Sequence, residues 1–379
     1  MDASTSRSHP LKWMCVYRSI LPKTRPFPFD QLLPTKDQGT LDQLNKISKS
    51  REEMRIFLDQ EHAASTVTAI ERYLPDFLGL LSSMGNQSPD KIPQTNKFKW
   101  TAPLGRHLIN STHDTTSTTW EINSTLMAYA LAMRNQAAES IKGITELPHL
   151  EAEKRINTVS SLLTKAAGVF DHLGNSMERV PPDAILPETS PSMLSALSSL
   201  SLAEAEEAAV VKGLMKNVSY GAIAKLAADI YTRLDHVTTV LRTAKIVDLT
   251  SQDLLSFVTV KSMLWKILTH QFLGENQFAQ GNYGLSIQYM RAAKSLAEQK
   301  VNASDATLSS ILNQQLQEVK KMEEKLTQDN DNIYFSNLPG TSLPPIENTS
   351  IVKPTPFTPF PPSQLKIVYR PDDSSCLIQ

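Results

Sequence analysis

The stretch LDQLNKISKSREEMRIFL, residues 41–58, carries the chain's structural class. Its apolar residues Leu41, Leu44, Ile47, Met54 and Leu58 fall mostly three or four apart, the spacing that gathers side chains on one face of an α-helix. A strand would need alternation instead. Immediately downstream, Val67, Ile70, Leu74, Phe77, Leu78 and Leu81 form a second such stripe, in which Pro75 predicts a kink because it cannot donate the intrahelical hydrogen bond. The same periodicity predicts helices over 117–146, 150–175, 190–217, 219–247, 251–280, 283–300 and 305–331. Nothing between them reads as a sheet, and only Leu365 to Tyr369 faintly resembles a strand. Long helices joined by short connections predict an all-α architecture of antiparallel hairpins stacked side by side.

The two flanks read differently. Residues 10–38 are rich in Pro and aromatics (Pro22, Pro26, Phe27, Pro28, Phe29, Pro34) and favour extended or turn structure. Residues 339–362 hold eight prolines in 24 positions, the composition of a linker. Between the flanks, Gly281, Tyr283, Ile287, Ala292 and Ala293 resemble a tetratricopeptide-type turn: a glycine for the tight turn, a tyrosine between helices, and alanines for close approach. Only one such unit is visible, and an ordinary helical hairpin would read the same way.

Composition narrows the function classes. The 379 residues carry 38 Lys plus Arg against 39 Asp plus Glu, a net charge of -1 that gives no bulk electrostatic reason to bind nucleic acid. With 40% apolar and 20% charged residues, most of the chain is expected to fold. The two cysteines, Cys15 and Cys376, lie near opposite ends and suggest neither a disulfide framework nor a metal cluster, so a reducing compartment is expected. No signal peptide or membrane-spanning run is read, and the expected location is the cytoplasm.

No G-x-G-x-x-G, Walker A, H-E-x-x-H or G-x-S-x-G pattern occurs, so a non-enzyme with no cofactor and no small-molecule substrate is expected. His107 and His113, with Asp114 beside them, sit in a Thr/Ser-rich stretch expected to be a loop and make a poor metal set. Glu204, Glu206 and Glu207 form an acidic triplet. On a helix these positions spread around the surface beside Lys212, so a solvated face with surface ion pairs is the expected arrangement.

Several segments taken in order resemble the BRO-one domain family. They are KFKW (97–100), AAGVFDHL (166–173), LAEAEE (202–207), AIAKLA (222–227), GNYGLSIQYMRAAKSL (281–296), DNDNIYFSNLP (329–339), LPPI (343–346) and VKPTPF (352–357). The resemblance spans nearly the whole chain. It implies an elongated, boomerang-shaped all-α domain over 10–369, with a tetratricopeptide-like core and extended N- and C-terminal segments. It also implies that the Pro-rich stretch 339–362 packs on the helices, with Ile346, Ile351, Phe357 and Phe360 as anchors.

The family docks the amphipathic C-terminal helix of ESCRT-III charged multivesicular body proteins in an apolar groove, and the resemblance carries that groove onto Ala209, Ala222 and Leu226. Such recognition requires exposed apolar residues at helical spacing. Two alanines stand where larger side chains occur in the family, so contact area is reduced. Leu214, Val218 and Ile223 are the candidates to compensate, although Ile223 fits the core equally well. Lys212, Lys216 and Lys225 are candidate partners for acidic residues of an incoming helix.

The last four residues, Cys376-Leu377-Ile378-Gln379, match the C-a-a-X prenylation signal with a preference for farnesyl, on a polar tail running from Arg370. A single prenyl chain attaches a protein marginally and reversibly, and no polybasic stretch lies upstream. The expected whole is a cytoplasmic adaptor held peripherally at ESCRT-remodelled membranes by farnesylated Cys376 and an ESCRT-III tail. The alternative is a membrane-curvature or cytoskeleton-linking scaffold without ESCRT-III binding.

Overall fold

Nine α-helices follow one another along the described residues of the computed structural model, which are 10–31, 35–84, 97–101, 112–177, 189–243, 252–299, 305–340 and 342–367. They are α1 (Gln38–Asp59), α2 (Ala63–Ser83), α3 (Thr118–Ser140), α4 (His149–Met177), α5 (Pro191–Met215), α6 (Tyr220–Thr243), α7 (Gln252–Ala279), α8 (Tyr283–Ala297) and α9 (Ala306–Asp329). Each packs mainly on its neighbour in sequence, with α7 against α9 as the one extensive additional pairing among described helices. A linear stack of hairpins results, as the helix lengths and short connections require.

Local chemistry sets the boundaries. Asp37, Ser117, Ser190 and Asp305 stand immediately before α1, α3, α5 and α9, and each accepts a backbone N–H of the first turn that the helix leaves unpaired. Gly281 turns α7 into α8 with φ of +80°, a conformation that costs a side-chain-bearing residue about 1 kcal/mol or more. Tyr283 begins α8 by stacking on Tyr334 at 3.6 Å and meeting Phe278 of α7 edge-on. Ala293 is buried where α8 crosses the stack. Pro75 lies inside α2, which runs through it without interruption.

One sheet escapes the helical periodicity. β1 (Phe98–Thr101) pairs antiparallel with β2 (Thr112–Thr115), which puts Trp100 opposite His113 and Lys99 opposite Asp114. The 113–114 backbone is therefore a strand and not the expected loop, while His107 lies outside the described residues.

The buried stripe of α1 is Leu44, Ile47, Arg51, Met54 and Leu58. The seven-residue gap left between Ile47 and Met54 in the apolar pattern is thus filled by a guanidinium. Arg51 pairs with Glu121 of α3 at 2.9 Å, and that carboxylate also accepts from Tyr73 Oη at 2.8 Å and Trp100 Nε1 at 2.6 Å. Arg51 in turn donates to the Arg25 carbonyl and to Thr24 Oγ1. A buried charge is tolerated only when its hydrogen-bonding capacity is filled, and here the filling groups come from irregular N-terminal backbone.

Glu204, Glu206 and Glu207 correct the expectation of a solvated acidic face, for all three are at most 1% exposed. α5 is apolar nearly all round and packs between α4 and α6, so it has no solvent face over this turn. Glu204 pairs with Arg134 of α3 at 2.9 Å and accepts the Tyr17 N–H at 3.0 Å. Glu207 faces Lys261 of α7 at 3.0 Å and accepts from Trp265 Nε1 at 2.9 Å. Lys261 also donates to the Cys15 carbonyl. Lys261 on the Cys15 carbonyl and Glu204 on the Tyr17 N–H fasten residues 15–17 to the helices, and burial pushes the Cys15 thiol up to about 12 and the Glu207 carboxyl up to about 8.

After α9 the chain returns as an extended strap across the stack, in reverse helix order. Gly284 of α8 donates its N–H to Ser336 Oγ at 3.3 Å; Thr349 then donates to the Lys225 carbonyl of α6 at 3.1 Å. Farther along, Thr355 donates to Thr164 O of α4 at 2.9 Å, and Ser363 to Pro75 O of α2 at 2.9 Å. Lys366 finally donates to Gln43 Oε1 of α1 at 2.9 Å. Gly168 permits the approach at α4, since a Cβ there would lie 1.8 Å from the Thr355 carbonyl oxygen. Ile351 is 63% exposed and is not an anchor; Val352 beside it packs on the cluster formed by α4 and α5. Phe357 and Phe360 are half-buried, the first against His172 and the second edge-on to Tyr129.

Candidate partner-binding surface on the α5–α6 hairpin

α5 and α6 meet in a turn at residues 216–219 that is closed by the Val218 N–H on the Gly213 carbonyl at 2.9 Å, with Asn217 in the left-handed conformation at φ of 55°. Helical spacing then sorts the candidate residues. Ala222 and Lys225 are exposed, Leu226 is half-buried, and Ile223 is fully buried between α5 and α6. Ile223 is accordingly a core residue, correcting its place in the groove: a partner cannot touch it without opening the hairpin. Ala209 and Leu214 are half-buried, and Val218 at the turn is 42% exposed. Leu226 and Leu214 pack at the margin of the main core, with part of each side chain left to solvent.

The surface available is therefore a shallow apolar strip formed by Ala222, Leu226 and Val218, with Ala209 on the neighbouring helix. Such a strip suits an apolar helical face more than a small molecule, which needs a concave site. Among the described residues no group of three or more His, Cys, Asp or Glu is placed to hold a metal ion.

The three lysines are already engaged. Lys212 contacts Glu153 at 3.5 Å and donates to Asn157 at 2.9 Å, Lys216 pairs with Glu153 at 2.9 Å, and Lys225 pairs with Glu347 of the strap at 2.6 Å. The hydrogen bond from Lys225 holds the Glu347 carboxyl below its usual range, as that from Lys216 does for Glu153. Because the pair with Glu347 is solvent-exposed it contributes little, and an incoming carboxylate can exchange for it.

A buried carboxylate absent from the candidate list organises the border of this surface. Glu206, one helical turn before Ala209, accepts the Val352 N–H at 3.1 Å, the Ile351 N–H at 3.3 Å and the Ser350 hydroxyl at 3.1 Å. Arg233 of α6 donates to the same Ser350 oxygen at 3.0 Å. Burial raises the Glu206 carboxyl above its ordinary range while the three donors pull it down. The strap is thus fixed beside Ala209 and Lys225 and forms one edge of the candidate surface. The sequence signal for this clamp was an ionisable residue inside a helix with no polar face.

Cys376, the candidate lipidation site, lies outside the described residues. No helix among them is long and apolar enough to cross a membrane.

Comparison with known proteins identifies the architecture. The chain is 26% identical over 197 residues to ALG-2 interacting protein X of Dictyostelium discoideum, a match that covers 51% of this chain and 25% of that longer protein. Among solved structures, an ALIX BRO1–CHMP4C complex superposes with a TM-score of 0.73 at 17% identity, covering 90% of this chain and 96% of the other. ALIX in complex with the SIVmac239 PYKEVTEDL late domain gives 0.72 at 17% identity over 90% of this chain and 49% of that one. A Bro1 domain described in connection with endosomal targeting also gives 0.72 at 17% identity, covering 90% and 92%. The BRO1-like domain pattern matches residues 35–372, and the chain belongs to the BRO1-like domain family.

Proposed function

We propose that this chain is a non-catalytic ESCRT-associated adaptor that binds the C-terminal helix of ESCRT-III charged multivesicular body proteins on the α5–α6 surface. The observation that carries this reading is the apolar strip of Val218, Ala222 and Leu226, exposed or half-exposed beside Lys225 on the hairpin of a BRO1-like domain. An ALIX BRO1 domain of the same fold is known in complex with CHMP4C, which supports a partner of that class. An amphipathic helix would lay its apolar residues on Ala222 and Leu226, and its carboxylates would meet Lys225 in exchange for Glu347.

In the same proposal, Cys376 receives a farnesyl group that gives reversible membrane attachment, and binding to membrane-assembled ESCRT-III supplies the second contact. The protein would then be cytoplasmic and peripherally associated with endosomal or other ESCRT-remodelled membranes. Titration of fluorescent ESCRT-III C-terminal peptides against wild type and Leu226→Asp tests the surface, with binding by the first and not the second expected. Absence of binding by both removes the assignment. Cys376→Ser should release the protein from the membrane fraction together with loss of a farnesyl mass increment.

The small side chains of Ala209 and Ala222 favour one rival, a scaffold that contacts lipid or cytoskeletal proteins without binding ESCRT-III. Liposome binding by the unprenylated chain, with no peptide binding, would support that rival.

A further inference from the structure

The strap offers a motif that neither the fold nor the α5–α6 surface uses. Residues 353–359 read Lys-Pro-Thr-Pro-Phe-Thr-Pro, a cation followed at the third and sixth positions by prolines: Lys353, Pro356 and Pro359. Every residue from Lys353 to Pro362 other than Phe357 is a proline or precedes one. Proline fixes φ near −65°, and its ring pushes the preceding residue toward extended backbone, so this decapeptide is held close to polyproline II by local sterics. Such a helix has three residues per turn and hence three edges.

The burial pattern has that same period of three. Pro354, Phe357, Phe360 and Ser363 are half-buried, whereas the residues between them are exposed. Phe357 sits 5.0 Å from the His172 ring, Phe360 sits 5.7 Å from Tyr129, and the Ser363 hydroxyl donates to Asp76 at 2.8 Å. One edge is therefore given to the helical body. The other two carry Thr355-Pro356 and Thr358-Pro359, with Lys353 one turn ahead, and all five of these residues are exposed. Thr355 is the most constrained of them, since its hydroxyl lies 3.1 Å from that of Thr164.

We infer that residues 353–359 are a docking site for an SH3-type domain, a fold that grips two successive x-Pro dipeptides in an aromatic-lined groove and a preceding cation in an acidic pocket. Recognition of this kind uses two edges of the polyproline helix and leaves the third pointing away from the groove. The docked residues here occupy that third edge. Holding the ligand already extended also removes the ordering cost that a free peptide would bear. The partner is thus defined by chemistry: an aromatic groove with a carboxylate placed to meet Lys353.

The test uses the full chain and purified SH3 domains that select ligands with the cation three residues before the first proline, alongside SH3 domains that select the opposite orientation. Biolayer interferometry should show binding by the first set and not the second. Pro356→Ala with Pro359→Ala should weaken it about tenfold or more, equivalent to about 1.4 kcal/mol, and Lys353→Glu about fivefold. Unchanged circular dichroism and melting of both variants guard against a folding defect, and Leu226→Asp should bind as wild type does. Binding by a synthetic 351–363 peptide but not by the full chain would overturn the proposal, because the docked strap would then mask the motif. It is equally overturned if neither binds, if only WW domains bind, or if the proline variants bind undiminished.

Discussion

Glu206 of α5 and Val352 of the strap are joined by a backbone N–H···carboxylate hydrogen bond of 3.1 Å across 146 residues of sequence. With the Ile351 N–H and the Ser350 hydroxyl on the same carboxylate, it closes the return path of the chain over the helices. Replacing Glu206 by Ala removes the acceptor of the Val352 and Ile351 N–H groups, while the Ser350 hydroxyl keeps the Val352 carbonyl. A loss of about 1–3 kcal/mol is expected, the cost of one stranded, half-buried donor at Val352, since the exposed Ile351 N–H can turn to water. Chemical denaturation should report that loss, and limited proteolysis should show earlier cleavage between residues 345 and 360.

Gly168 tests the same strap from the other side. Gly168→Ala improves helix propensity by about 1 kcal/mol, yet places a Cβ 1.8 Å from Thr355 O. The expected outcome is undiminished helicity by circular dichroism with a strap displaced from α4, seen as increased proteolysis near Thr355. Unchanged proteolysis together with raised stability would show that the strap is dispensable at α4.

The Arg51–Glu121 pair should behave as a unit. Glu121→Ala strands a buried guanidinium and removes the acceptor of Tyr73 Oη and Trp100 Nε1, so a loss of about 3–5 kcal/mol is expected. Arg51→Met combined with Glu121→Leu should recover the part due to the stranded guanidinium, while Tyr73 Oη and Trp100 Nε1 stay without their acceptor. A double variant as unstable as the single one would mean that the pair's main contribution lies in the groups it satisfies, Thr24, Arg25, Tyr73 and Trp100, and not in its own charges.

Stability should also fall as pH rises from the acid side to about 8, with Glu207 contributing and Glu206 acting in the same direction, since burial raises both carboxyls. Burial raises the folded pKa of Glu207 to about 8 from its ordinary value of 4.5. Between those two values the folded chain holds a proton that the unfolded chain has lost, so each pH unit gained disfavours folding, with a one-proton limit of about 1.4 kcal/mol per unit. Above the folded value the penalty is complete. Melting temperatures between pH 5 and 8 should therefore decline for wild type, and Glu207→Gln should flatten the decline.

The helices were legible because their 3.6-residue apolar period is written locally. Arg51, Glu204, Glu206 and Glu207 were not, because what makes burial tolerable for each is a partner 58 to 187 positions away. β1 and β2 are four residues each, too short for alternation to register against a polar background. The strap has the composition of a linker. Its docking depends on a carboxylate on α5 and on the bare helix surface at Gly168, neither of which composition reports. On the candidate surface, Ala222 and Leu226 came from the family resemblance, and helical spacing alone could not tell Ile223 from them, since adjacent positions on a helix differ by only 100° in direction.

The candidate surface makes its sharpest prediction at Ala222. This residue is exposed one turn from Leu226, so extending its side chain adds apolar area to the strip without displacing core atoms. Ala222→Leu should contribute about 1 kcal/mol to binding of an ESCRT-III C-terminal helix, from some 40 Å² of added burial at about 25 cal/mol per Å². That is roughly a fivefold gain in affinity by calorimetry. Ile223→Leu, a change inside the hairpin, should alter melting temperature and leave affinity nearly unchanged, which separates contact from packing. Glu347→Gln removes the carboxylate now on Lys225, so it should tighten an acidic peptide modestly at low salt and have no effect at high salt, where exposed pairs are screened. If Ala222→Leu weakens binding while Glu347→Gln strengthens it, the incoming helix runs along the strap edge and not over the alanine strip.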